Sequence, residues 1–512
     1  MRSKRATTGT ARTTATATGS TRRRTSRMSA TAAATVLLTI GATITATASP
    51  PAAAPNALAA AHDDFNRDGY PDLVVSAPGG TVSAQKGAGY VAVLYGSASG
   101  LSTSRRATFS LSTPGIPGLA QTGDGFGRTT ASGDLDGDGY ADLVIGMPGR
   151  DIGTTADAGA AVVLWGSANG LRTTGPLWLQ DDTPTAGTRF GMGLATGRFK
   201  GTDVELALLS RRALSTYGFE ATADGGHTAQ GTPMDWKWRE EFTPTGLTSG
   251  DYGNSGADDV VLLGTVTVDE GIHPVYTFGG ASYLPGGPDG LTYGRGLSGG
   301  PVGASGDINN DGWTDLVFGS PTDTDDLNES LLDGGTIDVF LGGFSGPSGP
   351  AATQHWTQTT IGASGDDKTG DRFGSSVTVG DVNGDGYADA AFGAPANDIN
   401  SLTDPGTVWV MRGTAQGLAP RNLLSFSQST PSVPGDNENH DWFGGAVRLI
   451  DADQDGKAEL VASAPGKNTD DGAAWVFPGT GNGPTGKGSW SFDGATLSAP
   501  SPDARFGETL AP

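Results

Sequence analysis

One short phrase returns along the chain, and no other feature restricts the possible folds as much. It reads DFNRDGYPDLVVSAP from Asp64, DLDGDGYADLVIGMP from Asp134, DINNDGWTDLVFGSP from Asp307, DVNGDGYADAAFGAP from Asp381 and DADQDGKAELVASAP from Asp451. Two weaker copies, GRFKGTDVELALLS from Gly197 and GDYGNSGADDVVLLG from Gly250, fill the wide gap between the second and third. Seven units over residues 62–512 average about 64 residues each, the length of a small sheet with generous loops. Such a unit cannot bury its apolar face alone and must stack on its neighbours.

Within each unit the punctuation is regular. An apolar run such as Leu73-Val74-Val75 or Leu143-Val144-Ile145 is stopped by Pro78, Pro148, Pro321, Pro395 or Pro465, which reads as a short buried strand ended by a turn. A further strand with its own turn follows, as in YVAVLYGSASGL from Tyr90, AVVLWGSANGL from Ala161 and TVWVMRGTAQGL from Thr407. Before most phrases stands an aromatic-glycine pair: Phe126-Gly127, Phe190-Gly191, Phe373-Gly374 and Phe443-Gly444. With 83 glycines and 30 prolines and no long helical pattern, the expected class is all-β. The expected fold is a seven-bladed β-propeller of four-stranded antiparallel blades.

The acidic part of the phrase is D-x-[DN]-x-D-G-x-x-[DE]. It places Asp or Asn at loop positions 1, 3 and 5 and an acid at position 9: Asp64, Asn66, Asp68 and Asp72; Asp134, Asp136, Asp138 and Asp142; Asp307, Asn309, Asp311 and Asp315; Asp381, Asn383, Asp385 and Asp389; Asp451, Asp453, Asp455 and Glu459. Alternate residues of a tightly curled loop converge on one centre, and calcium takes six to eight oxygens in forgiving geometry. The backbone carbonyl at position 7 (Tyr70, Tyr140, Trp313, Tyr387, Lys457) is expected to supply another ligand. Gly69, Gly139, Gly312, Gly386 and Gly456, always at position 6, allow the sharp turn. Five calcium sites are therefore expected. The weaker copies lack the ligands, with Gly253 and Ser255 after Asp251 and with Arg198 and Lys200 in the other, and no calcium is expected in either.

The start of the chain differs. Eight basic residues and no acid lie in residues 1–61, with an apolar run from Ala32 to Ile44 and the small-residue triplet Ala46-Thr47-Ala48. This reads as a secretory signal over residues 1–48, a Pro/Ala-rich linker over 49–61 and the propeller over 62–512. No membrane span is expected once the signal is removed. Without residues 1–61, 24 Lys+Arg face 55 Asp+Glu, a net charge of −31. So acidic a surface repels nucleic acid and favours cations. The absence of cysteine excludes disulfides, which leaves metal ions to fix the loops of an exported protein.

Phe-Gly, then the acidic loop, then an ending such as Gly393-Ala394-Pro395 resembles the FG-GAP repeat of integrin α-subunit propellers and their bacterial relatives. The resemblance covers essentially everything after residue 61. It implies a propeller with calcium loops on the lower face and ligand-binding loops on the upper face. The chain ends on Arg505-Phe506-Gly507-Glu508-Thr509-Leu510-Ala511, a Phe-Gly strand without a loop after it, whereas the first loop lacks a Phe-Gly strand before it. Residues 503–512 are therefore expected to complete the first blade.

No catalytic constellation stands out. Gly296-Leu297-Ser298-Gly299-Gly300 fits the G-x-S-x-G nucleophile elbow, but no helical pattern follows it. His62, His227, His273, His355 and His440 share no ligand spacing and read as solvated loop residues. Long polar loops after the proline turns, at Gly149 to Asp157, Thr322 to Asp333, Ala396 to Asp404 and Gly466 to Asp471, are the candidate ligand surface. Trp236-Lys237-Trp238 reads as core packing, with a sugar- or protein-binding platform as the alternative. The expected role is a secreted, monomeric binding or adhesion module for an extracellular protein or glycan, with a phospholipase-like or other hydrolase on the same propeller as the alternative and a lectin as a third option.

Overall fold

The computed structural model describes residues 62–223, 225–234, 241–268, 276–321, 334–349, 353–363 and 370–511. Residues 1–61, with the expected signal and linker, Trp236-Lys237-Trp238, His273 and the loop 322–333 lie outside them.

Seven four-stranded antiparallel sheets follow one another along the chain, each a meander from an inner to an outer strand. The apolar run of each phrase is the second strand, for example Asp142–Met147, Asp315–Ser320 and Asp389–Ala394. All six residues of each of these strands are buried, because the strand is covered on both faces by the neighbouring blades. Proline ends these strands, since its ring removes a ladder donor. The short inner strands, such as Thr129–Gly133 and Val302–Gly306, line the axis. There a channel of about 610 Å³ is bounded by Ser132, Thr196, Ser249, Ser305, Thr378, Asp63 and Arg448, among others. Hydroxyls step around that channel: Ser249 Oγ donates to the Thr196 carbonyl and Ser305 Oγ to the Ser249 carbonyl, both at 2.8 Å, and Thr196 donates to the Ser132 carbonyl.

The Phe-Gly pairs join one blade to the next. The Phe N–H bonds the preceding blade and the Gly N–H bonds the second strand of its own blade: Phe126 N to Ala88 O (2.9 Å) and Gly127 N to Gly146 O (3.2 Å), Phe443 N to Pro405 O (2.9 Å) and Gly444 N to Ser463 O (2.8 Å). The rings are buried, and Phe373 meets Phe392 at 5.1 Å and Trp409 at 5.7 Å edge-on.

Blade 1 takes its innermost strand from the far end of the chain. Leu510–Ala511 pairs with Leu73–Ala77, Val75 opposite Leu510 and Val74 opposite Ala511. Phe506 N donates to Asp471 O of blade 7 (3.0 Å), and Gly507 N donates to Ser76 O of blade 1 (2.8 Å). Asp63 adds a polar tie at the same seam, meeting Arg448 of blade 7 at 2.9 Å and Ser132 of blade 2 at 3.0 Å.

In such a meander the loop between first and second strands and the turn between third and fourth lie at one end of the blade. The turn between second and third strands lies at the other. The acidic loops therefore gather at one end of the ring and the proline loops at the opposite end.

Candidate metal centres

The five intact loops share one hydrogen-bond frame. Position 1 accepts from the position-6 glycine: Gly69 N to Asp64 Oδ2 (2.8 Å), Gly139 N to Asp134 Oδ2 (3.0 Å), Gly312 N to Asp307 Oδ2 (2.9 Å), Gly386 N to Asp381 Oδ2 (2.8 Å) and Gly456 N to Asp451 Oδ2 (3.0 Å). Position 5 accepts from the position-7 N–H of Tyr70, Tyr140, Trp313, Tyr387 and Lys457 at 2.9–3.2 Å. Position 6 sits at φ of +84° to +91°, a region open to glycine, and position 4 is also left-handed, at Arg67, Gly137, Asn310, Gly384 and Gln454.

The loops are also linked in series around the ring. The position-8 N–H reaches the position-1 carbonyl of the preceding blade in Ala141 to Asp64 (3.1 Å), Ala388 to Asp307 (3.1 Å) and Ala458 to Asp381 (2.7 Å).

Two loops bring carboxylates within ligand distance of one another. The ligand atoms of Asp134, Asp136 and Asp138 all lie within 4.8 Å, as do those of Asp451, Asp453 and Glu459. In the loops at Asp307 and Asp381 the position-3 amides donate to position 5, Asn309 to Asp311 at 2.8 Å and Asn383 to Asp385 at 3.0 Å. In the first loop Arg105 pairs with Asp68 at 2.6 Å, and in the last Lys457 pairs with Asp455 at 3.0 Å. Burial, with the neighbouring carboxylates adding to it, holds Asp134 and Asp451 above the usual carboxylate range. Asp134 Oδ1 is buried with no hydrogen-bond partner among the described residues. Crowded acids, one with an orphaned oxygen, fit a hard divalent cation with oxygen ligands.

Position 9 has a duty that the sequence pattern did not announce. Its carboxylate is buried and accepts one N–H from position 2 of its own loop and another from the glycine just after the third strand: Phe65 and Gly96 to Asp72 (both 2.9 Å), Leu135 (2.9 Å) and Gly166 (2.8 Å) to Asp142. Asp315 and Asp389 repeat the clamp with Gly342 and Gly413. Burial drives these groups up, Asp72 and Asp142 to about 8 and Asp315 and Asp389 to about 6.

The weaker unit of blade 4 keeps this clamp and its position-1 bonds, whereas in blade 3 one Glu205 oxygen is buried with no partner among the described residues. Asp259 accepts from Tyr252 N (3.2 Å), Gly286 N (2.8 Å) and Tyr283 Oη (3.0 Å), and Asp251 keeps the position-1 bonds to Ser255 and Gly256, although positions 3 and 5 carry no acid. In blade 3 a lysine takes a place in the loop, Lys200 pairing with Glu205.

His227 departs from the sequence reading. Instead of being a solvated loop residue, its side chain is 4% exposed, stacked on Trp165 at 3.8 Å and bonded to Asp136 at 2.8 Å. It lies 91 residues from its partner, beyond any local pattern. His355 and His440 pair with Asp338 and Asp404 at 2.8 and 2.9 Å, and His62 lines the axial channel. Gly296 and Leu297 belong to an outer strand, Arg295–Leu297, and the next element is the strand Val302–Gly306, so Ser298 is not on a strand-to-helix elbow.

The FG-GAP repeat family profile matches residues 56–94, 126–164, 373–411 and 443–477. These are four units with an intact acidic loop. The fifth intact loop, at Asp307, falls outside the matches, and its unit has Ser298-Gly299-Gly300 where the others have Phe-Gly. Among known proteins, integrin alpha-PS2 of Drosophila melanogaster is 35% identical over 135 residues, 26% of this chain and 9% of that protein. Phosphatidylinositol-glycan-specific phospholipase D of Rattus norvegicus is 34% identical over 162 residues, 32% of this chain and 18% of the enzyme. Integrin alpha-IIb of Mus musculus is 31% identical over 163 residues, 31% of this chain and 14% of that protein. The similarity thus spans less than a fifth of each of these relatives. The chain carries four FG-GAP repeats on a seven-bladed propeller and is similar over part of its length to integrin α subunits.

Proposed function

We propose that this chain is an exported, calcium-stabilised propeller that binds an extracellular protein or glycan and serves as an adhesion module. The observation that carries this reading is the division of labour between the two ends of the ring. Acidic loops with an orphaned carboxylate oxygen gather at one end, while irregular polar loops, 149–157, 396–404 and 466–471 among them, occupy the other on a rigid scaffold. Calcium would be held by positions 1, 3 and 5, the position-7 carbonyl and position 9, and when bound it supplies charge neutralisation and cross-linking of each loop. Integrin α subunits and the phospholipase D relatives are proteins of the cell surface or extracellular space, in line with the export reading of residues 1–48. Among the described residues no helix is long and apolar enough to cross a membrane.

The test is capture from secreted and cell-wall fractions, together with a glycan array, using the wild type and a variant in which residues 149–157 and 396–404 are replaced by Gly-Ser. Loss of the captured partner with an unchanged melting curve supports the reading, and retained capture overturns the assignment of the surface. Sequencing the N-terminus of exported material checks cleavage after Ala48, and sedimentation checks the monomer. A second reading, a hydrolase built on the propeller, draws on the phospholipase D similarity. Assays on ester, phosphodiester and glycoside substrates decide it, with Ser298→Ala as the control.

A further inference from the structure

Blade 3 has given up its own acidic loop, with Arg198 and Lys200 in it, yet it sends a side chain into its neighbour's. His227 opens the outer strand His227–Pro233, opposite Ala221 at the tip of the hairpin formed with Leu214–Ala221. From there its Nε2 lies 2.8 Å from Oδ2 of Asp136, position 3 of the blade 2 loop, with the two side chains only 4% and 5% exposed. An ionised carboxylate only accepts, so Nε2 carries the proton. Asp136 Oδ1 accepts in turn from Asp138 N at 3.1 Å, so the position-3 carboxylate is gripped both from its own loop and from the next blade.

The ring of His227 is held with equal care. It stacks on Trp165 at 3.8 Å and 27°, and Phe219 of the same hairpin meets that indole edge-on at 5.9 Å. Trp165 directly precedes Gly166, whose N–H is fixed by Asp142, position 9 of the same loop, at 2.8 Å. The hairpin of blade 3 therefore touches the loop of blade 2 at two points, directly at position 3 and through Trp165 beside the position-9 clamp. His227 Nδ1 is buried without a partner among the described residues, a cost that packing alone would avoid with a phenyl ring. Among the described residues, no other position 3 is held from outside its own blade.

We propose that His227 is a positioning residue for the divalent cation of the second loop. By fixing the Asp136 carboxylate from blade 3, it links cation occupancy of that loop to docking of the blade 3 hairpin. The inference rests on the calcium reading above and adds to it a partner residue and a route between blades. Linkage is reciprocal, so whatever the histidine adds to cation affinity the cation adds to hairpin docking.

The full chain serves for the test, with calcium itself as the probe. Native mass spectrometry counts bound ions while free calcium is stepped from micromolar to millimolar, for wild type, His227→Phe, His227→Gln and Asp136→Asn. His227→Phe keeps the stacked ring and deletes the donor, while His227→Gln places an amide N–H near the Nε2 position. The expected result is that one ion, the one lost in Asp136→Asn, requires about tenfold or more calcium in His227→Phe and binds as in wild type in His227→Gln, the usual size of an outer-shell effect. Hydrogen exchange over residues 214–233 provides the second readout. Calcium should slow it in wild type and His227→Gln and leave it unchanged in His227→Phe. Equal ion binding in wild type and His227→Phe overturns the proposal, and so does an equal loss in the Phe and Gln variants, which would mark simple packing. A wild type that binds no ion at any calcium level overturns the calcium reading along with it, whereas the other two failures leave that reading standing.

Discussion

Asp72, Asp142, Asp315, Asp389 and Glu459 look in the sequence like the last ligand of each loop, and the fold also uses them as buried acceptors for two backbone N–H groups. The clamp explains why blade 4 keeps Asp259 after losing acids at positions 3 and 5. Asp259→Ala leaves three donors without an acceptor and should cost about 2–4 kcal/mol, by the same amount with calcium and with chelator in paired melts. Asp138→Ala should behave differently, losing about 1.4 kcal/mol of calcium stabilisation at tenfold saturation that disappears once calcium is stripped, when only the exposed Tyr140 N–H bond is missing. The clamp residues also set a pH dependence. Unfolded carboxyls titrate near 4, whereas burial raises Asp259, Asp315 and Asp389 to about 6, Glu459 to about 7 and Asp72 and Asp142 to about 8. Between those limits the folded, cation-free protein binds more protons than the unfolded chain, so its stability falls as pH rises from about 4 to about 8. Bound calcium favours the ionised form and should flatten that fall. Melting temperature against pH, for stripped and calcium-loaded protein, checks both slopes.

At the scale of the element, the acidic loop was legible because its chemistry is local: a few alternating side chains and one glycine define it. The Phe-Gly pair was legible as a mark but not as a device, since its two N–H bonds go to different blades and only the assembled ring shows them. His227 was not legible at all, its partner being 91 residues away with no spacing to betray it. Five loops with full ligand sets should hold five calcium ions by elemental analysis after gentle dialysis. Together, at tenfold saturation, they contribute about 7 kcal/mol, comparable to the 5–15 kcal/mol of a typical domain, so chelation should lower the melting temperature markedly. Phe373→Ala empties a site between Phe392 and Trp409 and should cost about 3–5 kcal/mol, read from denaturant unfolding, with no change in the number of ions bound.

For the whole molecule, seven weak sheets are stable only as a closed ring, and closure depends on the Phe506-Gly507 stitch and on Leu510–Ala511 at the edge of Leu73–Ala77. Removing residues 503–512 leaves the second strand of blade 1 as an exposed edge, a template for pairing with other chains. Light scattering and thermal melts of that truncation should show aggregation or a clear loss of stability, although the segment holds no loop ligand. The count of blades could be read from the repeat, and the need for this seam could be read from the mismatched ends, but the Asp63, Arg448 and Ser132 tie that reinforces it could not, because its three members come from blades 1, 7 and 2. The seam also fixes an order of events in time. Ser76 and Thr509 bond each other across 433 residues, so a chain emerging from its N-terminus holds an incomplete first blade while all the others are being made. Its unpaired edge has to be shielded from neighbouring chains until the residues around 510 arrive. Slow delivery of that last stretch would be more hazardous than slow delivery of any stretch before it.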